Sequence, residues 1–500
     1  MLTRLRVRGF KNLADVDVSF GPFTCIAGVN GAGKSNLFDA ITFLSALADR
    51  PLMDAARSVR DERNRSTDVR SLFLKVGDKH AEEMSFEAEM LIPAEGQDDL
   101  GQTAKAAITF LRYTLVLRYR REQGSPSGDR LEIAKEELEH IKVTDARAHL
   151  QFPHNMNWRK SVVMGRRTTR FLSTAQEEHK VQVKLHQEGR GGRSRRHWAS
   201  QLPRTVLSST NALESPTALL ARREMQSWRL LQLEPSSLRN ADKFHDPPHI
   251  GVDGSHLAST LYHLARRKGG DGNPRGGEEA TYAQVANRLA DLVDDVYDVR
   301  VDEDRQRELL TVQVVDRDRH VHAARALSDG TLRFLALAIL AMDPGAQGLL
   351  CFEEPENGIH PERISSMLKL LKDLCVDTEE TVDADNPLRQ VIVNTHSPAV
   401  VGLVDGADLL VAQPRRMTID GQPCRAVAFS WLSDTWRHHA FPEVRTVSRG
   451  DLRAYLNPLA LAEPEEEHVG NKGRRSGPKR SRVRDRDDLR PLLPFTTSEE

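Results

Sequence analysis

The chain has 500 residues with a formal net charge of −1, 39% hydrophobic and 29% charged, which leaves room for about two to four domains and a sizeable core. Nothing resembles a signal peptide or an apolar run of about eighteen residues, which argues against a membrane-spanning role, and the balanced charge neither demands nor excludes nucleic acid. Cys25, Cys351, Cys375 and Cys424 lack paired spacing, so they read as thiols in a reducing cytoplasm, not as a disulfide frame or zinc site.

In chain order, Leu2 to Val7 and Ala14 to Phe20 alternate with period two and predict two short strands about a turn at Gly9–Asn12. Phe23 to Ala27 predicts a buried strand, and Asn36 to Leu47 a helix. Between them lies Gly28-Val29-Asn30-Gly31-Ala32-Gly33-Lys34-Ser35. A glycine, four residues and Gly-Lys-Ser between strand and helix is the phosphate-loop pattern. Glycines let backbone N–H groups turn toward phosphate oxygens, and the helix presents its positive end. Lys34 would reach the outer phosphates, and the Ser35 hydroxyl would ligate magnesium.

Residues 72–143 alternate as strands, with a turn at Gly124–Gly128. Residues 154–198 hold eleven Lys or Arg against three Glu and no Asp, with Trp158, Phe171 and Trp198 interleaved. That composition suits either a nucleic-acid backbone with stacked bases or a solvated loop. Helices are expected over Ala218 to Leu233, Gly251 to Arg266 and Tyr282 to Val296, with a linker at Lys268 to Glu278. Ala326-Leu327-Ser328-Asp329-Gly330-Thr331 then caps an apolar helix, Leu332 to Met342. Leu349 to Phe352 predicts a buried strand running into Glu353-Glu354-Pro355-Glu356, and Gln390 to Asn394 another running into Thr395-His396-Ser397-Pro398. Polar groups thus stand at strand carboxyl ends, where open α/β sheets bind ligands. Two more strands (Asp405 to Val411, Arg425 to Phe429), a helical stretch (Trp431 to Leu456) and a charged, disorder-like tail (463–500) complete the chain.

The order phosphate loop, Leu-Ser-Asp-Gly-Thr, Glu-Glu-Pro-Glu and Thr-His-Ser-Pro resembles the ATP-binding-cassette ATPases of the SMC/RecF type. More narrowly it resembles the overcoming-lysogenization-defect (OLD) ATPases without a Toprim domain and the ATPase subunits of bacterial anti-phage systems. The resemblance covers residues 1–50 and 300–412 well and the middle in outline.

It implies an α/β fold, an ABC-type P-loop head with a mixed sheet interrupted by a β-rich and helical insertion. The expected divisions are 1–64 and 256–462 for the two lobes of the head, 65–255 for the insertion and 463–500 for the tail. Gly28, Asn30, Gly31, Gly33, Lys34, Ser35 and Asn36 would hold ATP, with Ser35 and Glu353 on Mg2+. Glu354 would be the general base, and His396 the switch residue at the terminal phosphate or attacking water. Ser328 and Gly330 would reach the ATP of a second subunit, which implies a homodimer or higher oligomer around ATP. The chain has Glu353 where many members place Asp, and no Q-loop glutamine stands out, Gln151 and Gln201 being the candidates. No Asp-x-Asp ends a strand after His396, so a nuclease-like effector would be a separate protein. DNA is a further expected partner, and a membrane is not. A nucleotide-gated scaffold with little turnover and a RecF-like repair clamp are the alternatives to a defence ATPase.

Overall fold

The apolar runs around residues 25, 350 and 392 become adjacent parallel strands, and their carboxyl ends bring the polar motifs together. The structure, a computed structural model, describes residues 1–59, 68–121, 129–177, 180–188, 194–267, 274–419 and 421–456. The turn at 124–128, residues 190–193 of the basic run, most of the 268–278 linker and the 463–500 tail lie outside the described residues.

The elements that build the site are β1 (Leu2–Phe10), β2 (Leu13–Ser19), β3 (Phe23–Ala27), α1 (Lys34–Leu47), β4 (Arg229–Leu231), α2 (Asp329–Met342), β5 (Gly348–Glu353), β6 (Arg389–Thr395), β7 (Leu409–Ile419) and β8 (Gln422–Ser430). A six-stranded sheet runs β4-β5-β6-β3-β7-β8, parallel from β4 to β7 and closed by antiparallel β8, so it is mixed. Both faces of its central strands are covered. Ile26, Cys351, Ile392 and Leu410 face the cluster that includes α1, while Cys25, Phe352, Val393 and Val411 face the cluster that includes α2. This is why these strands read as unbroken apolar runs: each alternate residue finds a different core.

β1 and β2 end an eight-stranded antiparallel sheet that continues through Glu83–Leu91, Phe110–Arg121, Asp129–His140, Leu172–Glu177, Lys180–Leu185 and Arg195–Trp198. Its inner face joins the α1 cluster through Phe10, Phe43 and Phe86, whose rings pack with centroids 5.4–5.8 Å apart. Residues 1–456 form one compact unit. No described helix is long and apolar enough to cross a membrane.

Several local expectations are corrected. The helix expected over Ala218 to Leu233 stops at Gln226, and β4 follows, hydrogen-bonded alongside β5. Apolar spacing continues through both elements, so periodicity alone does not mark the break and tertiary pairing decides it. The helix expected over Tyr282 to Val296 instead spans Pro274–Ala290, and Val296 opens a strand after Asp295 takes a left-handed conformation. Trp431 to Leu456 holds two short helices, Trp436–Ala440 and Arg449–Leu456, not a continuous one. The basic segment is partly neutralised. Arg170 pairs with Glu139 at 2.8 Å, Lys184 with Glu177 at 2.9 Å and Arg195 with Glu214 at 2.5 Å. Trp158 and Phe171 are fully buried, so neither offers the stacking face expected of it.

A buried carboxyl ties the eight-stranded sheet to the segment ahead of β4. Glu136 accepts from the Val206 and Leu207 N–H groups at 2.8 and 2.9 Å and from the Tyr113 hydroxyl at 3.2 Å. Burial nevertheless pushes it up from 4.5 to about 7. Because the folded value lies above the unfolded one, its stabilising contribution is complete below pH 4.5 and is lost as pH rises through 7. The loss amounts to about 3 kcal/mol at 1.36 kcal/mol per unit. Denaturant midpoints should therefore fall between pH 5 and 8 in the parent chain and stay flatter in Glu136→Gln; equal slopes would place the titrating group elsewhere.

Candidate nucleotide site

β3 delivers the chain into the loop 28–35, and two glycines there are required by close approach. A Cβ on Gly28 would lie 2.5 Å from the Ala412 carbonyl oxygen, and one on Gly33, whose φ is +106°, would lie 2.2 Å from the Asn12 amide nitrogen. The helix begins at Lys34, two residues earlier than its apolar pattern suggests. Lys34 is buried, its ammonium donating to the carbonyls of Gly28 at 2.5 Å and Val29 at 3.1 Å. Burial lowers its pKa, opposed by the charges of Glu354, Glu356 and Glu353. Asn36 donates to the Asn12 side chain at 2.8 Å, linking the loop to the β1–β2 turn.

The acidic motif follows the end of β5, next to β6 and one strand removed from β3. Glu353 accepts from the side-chain amide of Gln232, which follows β4. Glu354 has φ 45°, a left-handed conformation that is costly for a non-glycine residue and clusters at functional sites. Its backbone N–H is fixed by the Asn394 carbonyl at 2.8 Å. One carboxylate oxygen meets His396 Nδ1 at 2.7 Å and the other accepts from Asn357 Nδ2 at 2.8 Å. Glu356 is buried, its carboxylate accepting from the Thr395 hydroxyl, and burial raises its pKa.

Glu354 and Asn394 border, together with the phosphate loop, a cleft of about 870 Å³. Asn394 Nδ2 stands 3.5 Å from Ser35 Oγ, and its Oδ1 is buried with no hydrogen-bond partner among the described residues. An oxygen set of Ser35, Asn394, Glu353 and the Gln232 amide suits a hard divalent cation, so the residues present fit magnesium.

Ser328 and Gly330 lie elsewhere. Ser328 caps α2, its Oγ accepting from Thr331 N–H at 3.2 Å, and Arg239 pairs with the adjacent Asp329. Both line a separate depression of about 400 Å³ with Gly358, His360 and Arg363. Within one chain the fold therefore brings together Lys34, Ser35, Glu353, Glu354 and His396, and leaves the signature residues apart from them.

Neither glutamine considered from the sequence reaches the site. Gln151 borders a depression beside Phe152 and Trp436, and Gln201 sits in a short helix on the far strands of the eight-stranded sheet. Gln232, at the end of β4, is the glutamine whose side chain meets Glu353. The signal was a three-residue strand hidden in an apparent helix. Arg415, Arg416 and Arg425 of β7 and β8 also line the cleft, and no motif announced them.

A family model described as "AAA domain, putative AbiEii toxin, Type IV TA system" matches residues 199–402, and one described as "AAA domain" matches residues 4–88. An OLD nuclease of Thermus scotoductus is 51% identical over 41 residues, which is 8% of this chain and 8% of that protein. Among solved structures, an SMC head bound to the C-winged helix domain of ScpA is similar at 14% identity and TM-score 0.41, covering 86% of this chain and 98% of that one. The SMC head domain from Thermotoga maritima gives 12% identity, TM-score 0.37 and coverage of 86% and 99%. One match spans the phosphate loop and the other spans the Leu-Ser-Asp-Gly-Thr, Glu-Glu-Pro-Glu and Thr-His-Ser-Pro motifs, so AAA-domain sequence stands on both sides of the β-rich segment.

Proposed function

We propose that the chain binds ATP with Mg2+ and hydrolyses it, that two copies close around the nucleotide, and that the cycle gates a separate, nuclease-like effector in cytoplasmic anti-phage defence. The observation that carries this reading is the division of the machinery. Lys34, Ser35, Glu353, Glu354 and Gln232 converge on the strand ends, while Ser328 and Gly330 lie in a different depression of the same chain. A signature that cannot reach its own loop calls for a loop on another copy. The defence role and the effector rest on resemblance alone.

In the proposed reaction the Lys34 ammonium neutralises the outer phosphates, and water attacks the terminal phosphorus as its proton passes to a Glu354 carboxylate oxygen. The bond to the bridging oxygen breaks and ADP leaves. His396, bonded to Glu354 at 2.7 Å, holds that carboxylate in place. Magnesium, held by Ser35, Glu353 and Gln232, would supply charge neutralisation at the phosphates. The chain's remaining task is positioning and exclusion of competing water. A nucleotide-gated scaffold would use the same binding residues and part from this reading only at Glu354. Turnover of ATP by Glu354→Gln against the parent chain is therefore the test. Arg159, Lys160, Arg166, Lys180 and Arg196, with no carboxylate partner among the described residues, are the part of the basic segment left to meet a DNA backbone.

Gln232 gives a narrower expectation. Gln232→Ala should raise the Mg2+ concentration for half-maximal hydrolysis about 10- to 100-fold, the usual cost of losing a partner of a metal ligand. Nucleotide affinity measured in chelator should not change. A shift in that affinity instead would show that Gln232 touches the nucleotide and not the metal's surroundings.

A further inference from the structure

Most arginines in the middle of the eight-stranded sheet have carboxylate partners. Arg4 pairs with Asp17 at 2.6 Å, Arg8 with Asp15 at 2.8 Å, Arg112 with Glu89 at 2.7 Å and Arg120 with Glu132 at 3.0 Å. The β7–β8 hairpin breaks this pattern. Arg415, Arg416 and Arg425 are exposed, and none has an ion pair or side-chain hydrogen bond among the described residues. Arg416 stands directly opposite Arg425 in the strand register. Like charges facing each other across a strand pair are destabilising, and no carboxylate among the described residues offsets this pair. All three border the same cleft as the phosphate loop.

Sheet order says which end of a nucleotide they would meet. β3 carries the loop; β6 and β5, which carry His396 and Glu354 at their ends, lie on one side of it, and β7 and β8 lie on the other. The reacting phosphate must face Glu354, so the rest of the nucleotide extends the opposite way, past Asn36 and Asn12 toward the hairpin. None of the residues lining the cleft is Phe, Tyr or Trp, so no aromatic side chain is placed to stack on a base there. Guanidinium planes stack on aromatic faces and carry their charge with them. We propose that Arg416 and Arg425 form the seat for the nucleoside end, stacking on the base, with Arg415 flanking them. The proposal rests on the reading of loop 28–35 as a triphosphate site.

The test compares the parent chain with the Arg416→Ala/Arg425→Ala double variant for binding of ATP and of inorganic tripolyphosphate. Both positions are exposed and unpaired, so the fold does not depend on them. ATP affinity should fall about ten- to hundredfold, in line with the worth of a desolvated cation–π contact, while tripolyphosphate affinity holds. The Lys/Lys variant, which keeps the charge and loses the planes, should not recover ATP binding. Equal losses for both ligands, recovery by lysine, or unchanged ATP binding would each overturn the proposal. If the parent chain binds neither ligand, the triphosphate reading fails first and this proposal with it.

Discussion

Glu354→Gln should lower ATP turnover by about 100- to 10,000-fold, the range expected when a positioned general base is removed. The substitution keeps the length of the side chain and its capacity to meet Asn357 and His396, so the left-handed turn at Glu354 should persist. What it removes is a carboxylate able to take a proton. ATP binding should therefore survive, and if two copies close on the nucleotide, the variant should accumulate as an ATP-held dimer, visible by light scattering with ATP and absent with ADP. Loss of turnover together with loss of binding would mean that Glu354 holds the nucleotide or the loop, not the attacking water. Turnover at the parent rate would remove Glu354 as the base and favour the scaffold reading.

The parts of this site that were legible in the sequence are those whose chemistry is local. Loop 28–35 spells out its own turn through Gly28 and Gly33, and the runs ending at Glu353 and Thr395 announce buried strands with polar ends because both faces are covered. Ser328 is legible as a helix cap for the same reason, since its oxygen meets an N–H three residues on. What was not legible depends on pairing across the chain. β4 is three residues long and is held by β5, so Gln232 at its end vanished into an apparent helix. Glu356 stood in view beside Glu354, yet its burial and its bond to Thr395 follow from β6 lying alongside β5. Trp158 and Phe171 read as stacking residues in a basic run because composition carries no information on which way a side chain turns; the core took both. The hairpin arginines are the extreme case, since a Pro-Arg-Arg sequence says nothing of a loop that β3 places beside it.

In the proposed cycle one site needs two chains, one giving the loop and the other the signature. Lys34→Ala should empty the loop of its cation, and Ser328→Arg should block the signature surface at the cost of the Ser328 cap on α2, about 1 kcal/mol, which a helix packed in the core withstands. In a symmetric pair each variant alone would spoil both sites. A mixed pair behaves differently: the intact loop of the Ser328→Arg chain meets the intact signature of the Lys34→Ala chain, and one site of the two is whole. Measuring ATP turnover of each variant alone and of an equimolar mixture tests this directly. Each variant alone should be inactive, and the mixture should recover about a quarter of the parent rate, because half the pairs are mixed and half their sites are intact. A mixture as inactive as its components, or a Ser328→Arg chain that hydrolyses ATP unaided, would contradict a site shared between two copies.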